Sequence, residues 1–398
     1  MSYDVDSVRA HFPSLATGTA HFDGPGGSQV PAAVADAIRD ALVSPLANRG
    51  QVTAAERAAD AIVLGARSAL ADLLGADPRG IVFGRSATQL TYDFARTLAR
   101  TWRPGDEVVV TRLDHDANVR PWVQAADSVG AVVRWVAFDP ETGELDEVPV
   151  SERTRLVAVT AASNLIGTRP DLAGIARTVH DAGALFYVDG VHLAAHEPVD
   201  VRTMGADFFV CSPYKFFGPH CGVLTARPEL LEGLRPDKLL PSTDVVPERF
   251  ELGTLPYELL AGSTAAVDFI AGLLPGDGDR RSRVTASMTA VAEHEDRLRA
   301  ELETGLLALP GVTVRSRAKR RTPTLLATFA DHDPADAYRF LATRNINAPA
   351  GSFYAIETSR HLGLGDRGGL RMGLAPYSTA GEVARLLDGL AEFVSTRR

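Results

Sequence analysis

Residues 186–192 read FYVDGVH, and the apolar run CSPYKFFGPHCG follows at residues 211–222. The first has the look of a buried strand that ends in Asp189. The second breaks at Pro213 and leaves Lys215 just ahead of a Gly-Pro turn, twenty-six residues after the aspartate. An ammonium group near the end of a buried strand is costly to desolvate. Such a lysine is paired, reaches solvent with its tip, or is chemically employed. Read singly, Lys215 is a strand-end lysine reaching water and Asp189 a cap on the next helix. Their surroundings change that reading.

Working outward, short β-branched runs alternate with amphipathic helical stretches from about residue 55 onward. That alternation is the pattern of a mostly parallel sheet with helices on both faces. Strands are expected at 80–84, 106–111, 131–138, 155–163, 184–190, 207–212 and 222–226, seven in all. Helices are expected between them, as in TQLTYDFARTLART and DLAGIARTVHDAG, where apolar residues recur at three and four. A sheet of this kind collects functional residues just beyond its strand C-termini.

Three segments are expected along the chain. Residues 1–50, with the helix PAAVADAIRDALV, precede the first sheet strand and should pack at the seam between domains. Residues 51–275 form the large α/β domain. GDGDRRSR at 276–283 reads as a hinge into a smaller α+β domain, 276–398, with a helix from about residue 285 and strands near VTVRS, TLLATF and GLRMGLAP.

Composition narrows the function classes. Hydrophobic residues at 45% and charged residues at 23% describe an ordinary globular protein. A formal net charge of -9 offers no footprint for nucleic acid or an anionic membrane. The basic cluster RSRAKRR at 315–321 departs from this trend and reads as a solvated connection. No stretch resembles a signal peptide or a membrane span, so a cytoplasmic protein is expected. The two cysteines, Cys211 and Cys221, form neither a disulfide framework nor a CxxC metal motif. No bound metal is expected.

The strand ends carry an unusual set of groups. SATQ at 86–89 opens a helix after a strand and offers backbone N–H groups and the Thr88 hydroxyl to an anion. His115 follows the next strand, Asn164 another, and then come Asp189 and Lys215. Pyridoxal 5'-phosphate calls for that combination: a lysine, an acid at the pyridine nitrogen, a phosphate cradle and a flat group against the ring. Here the chain resembles the fold-type I pyridoxal-phosphate enzymes, and within them the class V aminotransferase superfamily and its cysteine desulfurase-like branch. The motifs that carry the resemblance are HFDGPGG, NRG, GRSATQ, LDHDANVRPW, SNLIGT, YVDGVH, SPYKFFGPHCG, RFELGT and LRMGLAPYST, in that order.

The resemblance implies roles for individual residues. Lys215 would bond the cofactor covalently, and Asp189 would keep its pyridine nitrogen protonated. His115 would stack on the ring, and Asn164 and His192 would bond the phenolic oxygen. Ala87, Thr88 and Ser212 would hold the phosphate, with Tyr214 where many relatives carry histidine. Thr254 would reach the phosphate of a neighbouring subunit, which implies a homodimer with shared active sites. Arg371 would grip the substrate carboxylate through its planar fork, with Gly26 and Arg49 at the same substrate. As plain structure, Thr88 is a helix cap, Asn164 a turn residue, Thr254 a surface hydroxyl and Arg371 half of an interdomain ion pair. Lys215 should have a lowered pKa, since bonding the cofactor needs a neutral amine.

One expected residue is missing. Persulfide-forming relatives place a cysteine shortly before the carboxylate-binding arginine, yet residues 347–371 contain none, and Tyr354 stands nearest its place. A phenol with a pKa near ~10 does not replace a thiolate. Cys211 reads as a small core residue, and Cys221, six residues beyond Lys215, as the other conceivable thiol. The expected activity is therefore C–S cleavage of cysteine or a cysteine derivative without a loop persulfide, the sulfur acceptor being unknown. Transamination or epimerisation of a small amino acid is the alternative, and a non-catalytic cofactor-binding scaffold a further one.

Overall fold

The computed structural model describes residues 3–395. Seven strands form its large sheet: β1 (Ile81–Gly84), β2 (Glu107–Thr111), β3 (Val132–Val136), β4 (Thr154–Thr160), β5 (Leu185–Asp189), β6 (Phe208–Cys211) and β7 (Gly222–Ala226). They lie in the order β1-β7-β6-β5-β4-β2-β3, and only β7 runs against its neighbours. All seven fall on the runs expected from the sequence. β2, β6 and β7 are buried along their whole length, so their sequences are mainly apolar rather than alternating, with Glu107, Thr111 and Thr225 as the polar members. β3, at one edge, differs: exposed and half-buried positions alternate along it up to the buried Val136.

The pleat sorts side chains into two layers. Val109, Val157, Val159, Phe186, Val188 and Phe209 point to one face and pack against helices α2 (Ala54–Leu74), α5 (Leu172–Asp181) and α6 (Tyr257–Ala271). Val108, Val110, Leu156, Ala158, Tyr187 and Phe208 point to the other and meet α3 (Ala87–Ala99) and α4 (Arg120–Val129). Helix α1 (Ala32–Val43) lies against α6.

A smaller antiparallel sheet follows, with β8 (Val312–Val314), β9 (Thr324–Phe329), β10 (Ala350–Gly351) and β11 (Gly369–Gly373) in the order β10-β11-β9-β8. Its core is closed by α7 (Arg280–Ala308), α8 (Pro334–Ala342) and α9 (Ala380–Ser395), which contribute Leu298, Leu302, Leu341 and Leu386 among others. The N-terminal segment joins both cores. Phe12 and Leu15 are buried with the large sheet, whereas Ala20 and Phe22 are buried in the smaller core, where Ala20–His21 pairs in parallel with Ile346–Asn347.

The stretch 276–283, read above as a hinge, is only half irregular. Asp279 caps α7 by accepting from the Ser282 nitrogen at 2.8 Å, and Arg280 reaches Asp72 at 2.7 Å and Asp268 at 3.1 Å. The charged run RRSR is therefore the first turn of the long helix, fastened to α2 and α6.

One glycine sets the geometry that matters next. Gly222, at the start of β7, passes directly beneath the N-terminus of α3, and a Cβ there would lie 2.5 Å from the Ser86 carbonyl oxygen and 2.8 Å from the Ala87 nitrogen. Both neighbours are backbone and have little room to yield. Gly222→Ala should lower stability by about 1–3 kcal/mol, the cost of overpacking, measured as a lower urea midpoint. An unchanged midpoint would mean that the helix start is not held against β7.

Candidate active site

A cavity of about 840 Å³ opens beyond the C-terminal ends of the parallel strands. Each strand end delivers a different group to it. The start of α3, after β1, presents Ala87 and Thr88; the turn after β2 presents His115; the turn after β4 presents Asn164; β5 ends in Asp189, with His192 following; and β6 leads to Ser212, Tyr214 and Lys215. Gly26 of the N-terminal segment and Arg371 of β11 complete the wall. All the site residues expected from the sequence border this cavity except Arg49 and Thr254. Tyr92, Arg120, Gln124, Thr160 and Phe353 also border it and were not foreseen. Tyr92, Arg120 and Gln124 belong to helices whose amphipathic pattern records only which face is buried.

The lysine is held from three sides. Residues Pro213–Lys215 form a single 3-10 turn, and the Lys215 ammonium donates to the Pro25 carbonyl oxygen. Ser28 clamps the turn, its nitrogen donating to the Tyr214 carbonyl at 3.0 Å and its hydroxyl accepting from the Phe217 nitrogen at 2.8 Å. Phe217 takes φ 72°, a left-handed conformation that is costly for an aromatic residue, and its ring is locked among Phe12, Phe269 and Tyr377. The lysine nitrogen stands 5.0 Å from the centre of the Tyr214 ring, which itself stacks on His220 at 4.7 Å.

Burial dominates the electrostatics. It pushes the Lys215 amine down to about 7, with the Arg371 charge adding to the shift and Asp189 opposing it. It also pushes Asp189 up to about 6, against a hydrogen bond from the Val191 nitrogen at 2.9 Å and the nearby Lys215. His115 is held down at about 4, by burial first and then by the two cations, so its ring is neutral at pH 7. Its Nδ1 accepts from the Ala117 nitrogen at 3.0 Å, which fixes the ring plane. His192 is likewise held far below its usual range by burial. Its Nε2 lies 3.0 Å from both the Thr322 and the Thr324 hydroxyl oxygens, leaving the buried Nδ1 without a partner.

Arg371 is the most constrained charge in the cavity. The residue is 3% exposed, one guanidinium nitrogen donates to the Asn164 carbonyl at 3.1 Å, and Nε has no hydrogen-bond partner. Its guanidinium lies 3.6 Å from the centre of the Phe353 ring. The Asn164 amide nitrogen is spent on the Phe353 carbonyl at 3.0 Å, so Asn164 presents an unpartnered Oδ1. Phe353 and Tyr354 both have positive φ, 51° and 59°, a strained pair at the tip of the loop without a cysteine. Tyr354, 77% exposed, stacks over His115 with ring centres 5.5 Å apart.

The remaining expected residues lie elsewhere. Arg49 is engaged with Asp60 at 2.7 Å and Glu248 at 3.1 Å. Thr254 is exposed, three residues after Glu251, whose carboxylate takes a bidentate grip from buried Arg67 at 2.8 and 2.9 Å. It borders a separate cavity together with Cys221. Cys221 bonds Ser263 at 3.5 Å, and burial pushes its thiol up to about 11. Cys211 lies inside β6, and burial pushes its thiol up as well. Neither cysteine borders the Lys215 cavity.

Comparison with known proteins identifies the family. The aminotransferase class-V family matches residues 20–386. An uncharacterised protein of Mycobacterium tuberculosis is 36% identical over 98% of this chain and 99% of its own. A cysteine desulfurase of Dickeya dadantii is 31% identical over 98% of this chain and 96% of its own. Among solved structures, the cysteine desulfurase CsdA of Escherichia coli superimposes with a TM-score of 0.84 at 28% identity, over 99% of both chains. The chain therefore belongs to the class-V aminotransferases, a family of pyridoxal-phosphate-dependent enzymes, and stands in their cysteine desulfurase-like branch.

Proposed function

We propose that the cavity binds pyridoxal 5'-phosphate together with an α-amino acid, and that the enzyme cleaves the C–S bond of cysteine or a cysteine derivative. The observation that carries this reading is the buried guanidinium of Arg371. It has an unpartnered Nε, borders the cavity that also holds Lys215 and forms no ion pair among the described residues, the Asp23 carboxylate acting on it only through space. Burial lowers its pKa to about 9, a cost that a substrate carboxylate would offset through a charge-assisted contact.

The donor set fits the cofactor. Asp189 suits a protonated ring nitrogen, and the neutral His115 ring suits the face of a flat heterocycle. The N–H groups at the start of α3, brought close by Gly222, suit a phosphate, with Thr88 and Ser212 beside them. His192 Nδ1 and Asn164 Oδ1 are buried polar atoms still lacking a partner. Bound there, pyridoxal 5'-phosphate supplies an electron sink that eases the breaking of a bond at Cα.

The chain's own groups then divide the work. Arg371 fixes the carboxylate and so sets which Cα bond is presented. Lys215, with an amine at about 7, is matched in strength to accept the Cα proton near neutral pH. Phe353 backs the guanidinium, and the Tyr354 ring covers the outer face of His115. Neither cysteine of the chain borders this cavity, so the sulfur passes to a soluble thiol, giving that thiol's persulfide and alanine, or leaves as sulfide. With cysteine and water the products are sulfide, ammonia and pyruvate.

We further propose a homodimer whose partner subunit meets the exposed stretch around Thr254. Leu239, Leu240, Val245 and Leu252 expose apolar surface between residues 239 and 252, as an interface would require.

Two measurements check these readings. Purified protein with added pyridoxal 5'-phosphate, incubated with a panel of cysteine derivatives and other amino acids, should release sulfide or thiol together with pyruvate. Replacing Cys211 and Cys221 together by serine should leave that rate nearly unchanged, while Arg371→Lys should weaken amino-acid binding by ~10–100-fold. Keto-acid formation by amino-group transfer without sulfur release would establish transamination instead. Light scattering should give twice the 42.4 kDa chain mass, and an active monomer would remove the dimer proposal.

A further inference from the structure

A further cavity, of about 240 Å³, lies behind His192, between α7 and the loop that carries the basic cluster. Its floor is a buried pair: His196 Nδ1 stands 2.9 Å from Glu295 Oε2, with the two side chains 3% and 1% exposed. The other two polar atoms of this pair, His196 Nε2 and Glu295 Oε1, have no hydrogen-bond partner. Buried polar atoms of native proteins are seldom left unmet.

The rim has the opposite character. Lys319 and Arg320 border the cavity and are exposed, and neither side chain forms an ion pair among the described residues. The other charged groups are already engaged. Arg169 pairs with Glu197, Arg299 with Asp296 at 2.7 Å and Glu303 at 2.7 Å, and Arg321 with Glu303 at 2.8 Å. What lacks a partner is a buried acceptor at the floor and, at the rim, two cations without ion pairs. When His196 donates Nδ1–H to Glu295, a neutral ring leaves Nε2 as a second acceptor. Burial pushes the Glu295 carboxyl up, and an added cation at Oε1 would relieve that desolvation.

We infer that this cavity is a second ligand site, which takes a small zwitterion of amino-acid type with its ammonium on Glu295 and its carboxylate on Lys319 and Arg320. The volume admits a small amino acid and is too small for a nucleotide. The site also touches the first cavity. His196 meets the His192 ring edge to face at 4.8 Å, and Thr322, beside Arg321, bonds His192 at 3.0 Å. Occupancy would therefore be felt at a residue that borders the Lys215 cavity, and by linkage the effect is reciprocal. This inference does not depend on which reaction occurs at Lys215.

The test counts bound ligand. Each of the twenty proteinogenic amino acids is titrated calorimetrically into the parent protein and into the Lys319→Ala/Arg320→Ala variant, whose changes are exposed and spare the fold. For at least one amino acid the parent should bind one equivalent per chain more than the variant. If the Lys215 cavity binds no amino acid, the counts become one and none, so failure of that reading is distinguishable from failure of this one. Equal counts in parent and variant for all twenty would overturn the second site. Binding of inorganic phosphate as tight as that of any amino acid would overturn its assignment to a zwitterion.

Discussion

Two basic groups, Lys215 and Arg371, are desolvated in one cavity, with the Asp189 carboxylate acting on the first and Asp23 on the second, and neither forms an ion pair among the described residues. Burial first, and then the like charge beside it, disfavours each cation, and the group with the softer titration yields. Arginine keeps its proton, so lysine becomes the amine that is neutral near pH 7. Burial, aided by the same two cations, holds His115 neutral. A lysine nucleophile or base, a permanent cation still lacking a counter-ion and a flat uncharged ring all follow from that one constraint. Relief comes from an anionic ligand, and an amino-acid carboxylate is the simplest one.

The constraint can be met only because three parts of the chain converge. The large sheet supplies the lysine turn and the carboxylate, and the smaller sheet supplies Arg371, opposite Leu326 in its register. The N-terminal segment ties the two. Its Pro25 carbonyl receives the lysine, its Ser28 holds the lysine turn, and Asp23 bridges to Gly373 two residues beyond the arginine. Motion of the smaller unit would therefore be felt first at Arg371, and motion of the segment at Lys215.

How much of this was legible follows from the range of the forces involved. The seven strands could be read because two-sided burial demands continuous apolar runs, as in VVV at 108–110 and FFVC at 208–211. Asp189 and Lys215 could be read because charges are conspicuous at the ends of such runs. The first turn of α7 was hidden: RRSR looks solvated until Asp72, 208 residues away, and Asp268, 12 residues back on the preceding helix, are seen as its partners. The same holds for His192, whose threonine partners lie 130 and 132 residues away, and for Phe353, whose contact with Arg371 depends on a strained loop. In the basic cluster, Lys319 and Arg320 are solvated as expected, but Arg321 turns inward to Glu303. Partnership at long range leaves no local pattern.

The central claim is that Lys215 is the desolvated, neutral amine of this protein, and the chain offers a sharp control because it contains only three lysines: Lys215, Lys238 and Lys319. The most direct measurement is borohydride reduction after addition of pyridoxal 5'-phosphate, followed by peptide mass spectrometry across a pH series. The account predicts one pyridoxyl adduct, on the peptide containing Lys215. Labelling should fall as the pH drops below about 7, because the amine then gains a proton and loses its nucleophilic lone pair. A principal adduct on Lys238 or Lys319, or labelling at Lys215 only above the ordinary lysine range near ~10, would contradict it.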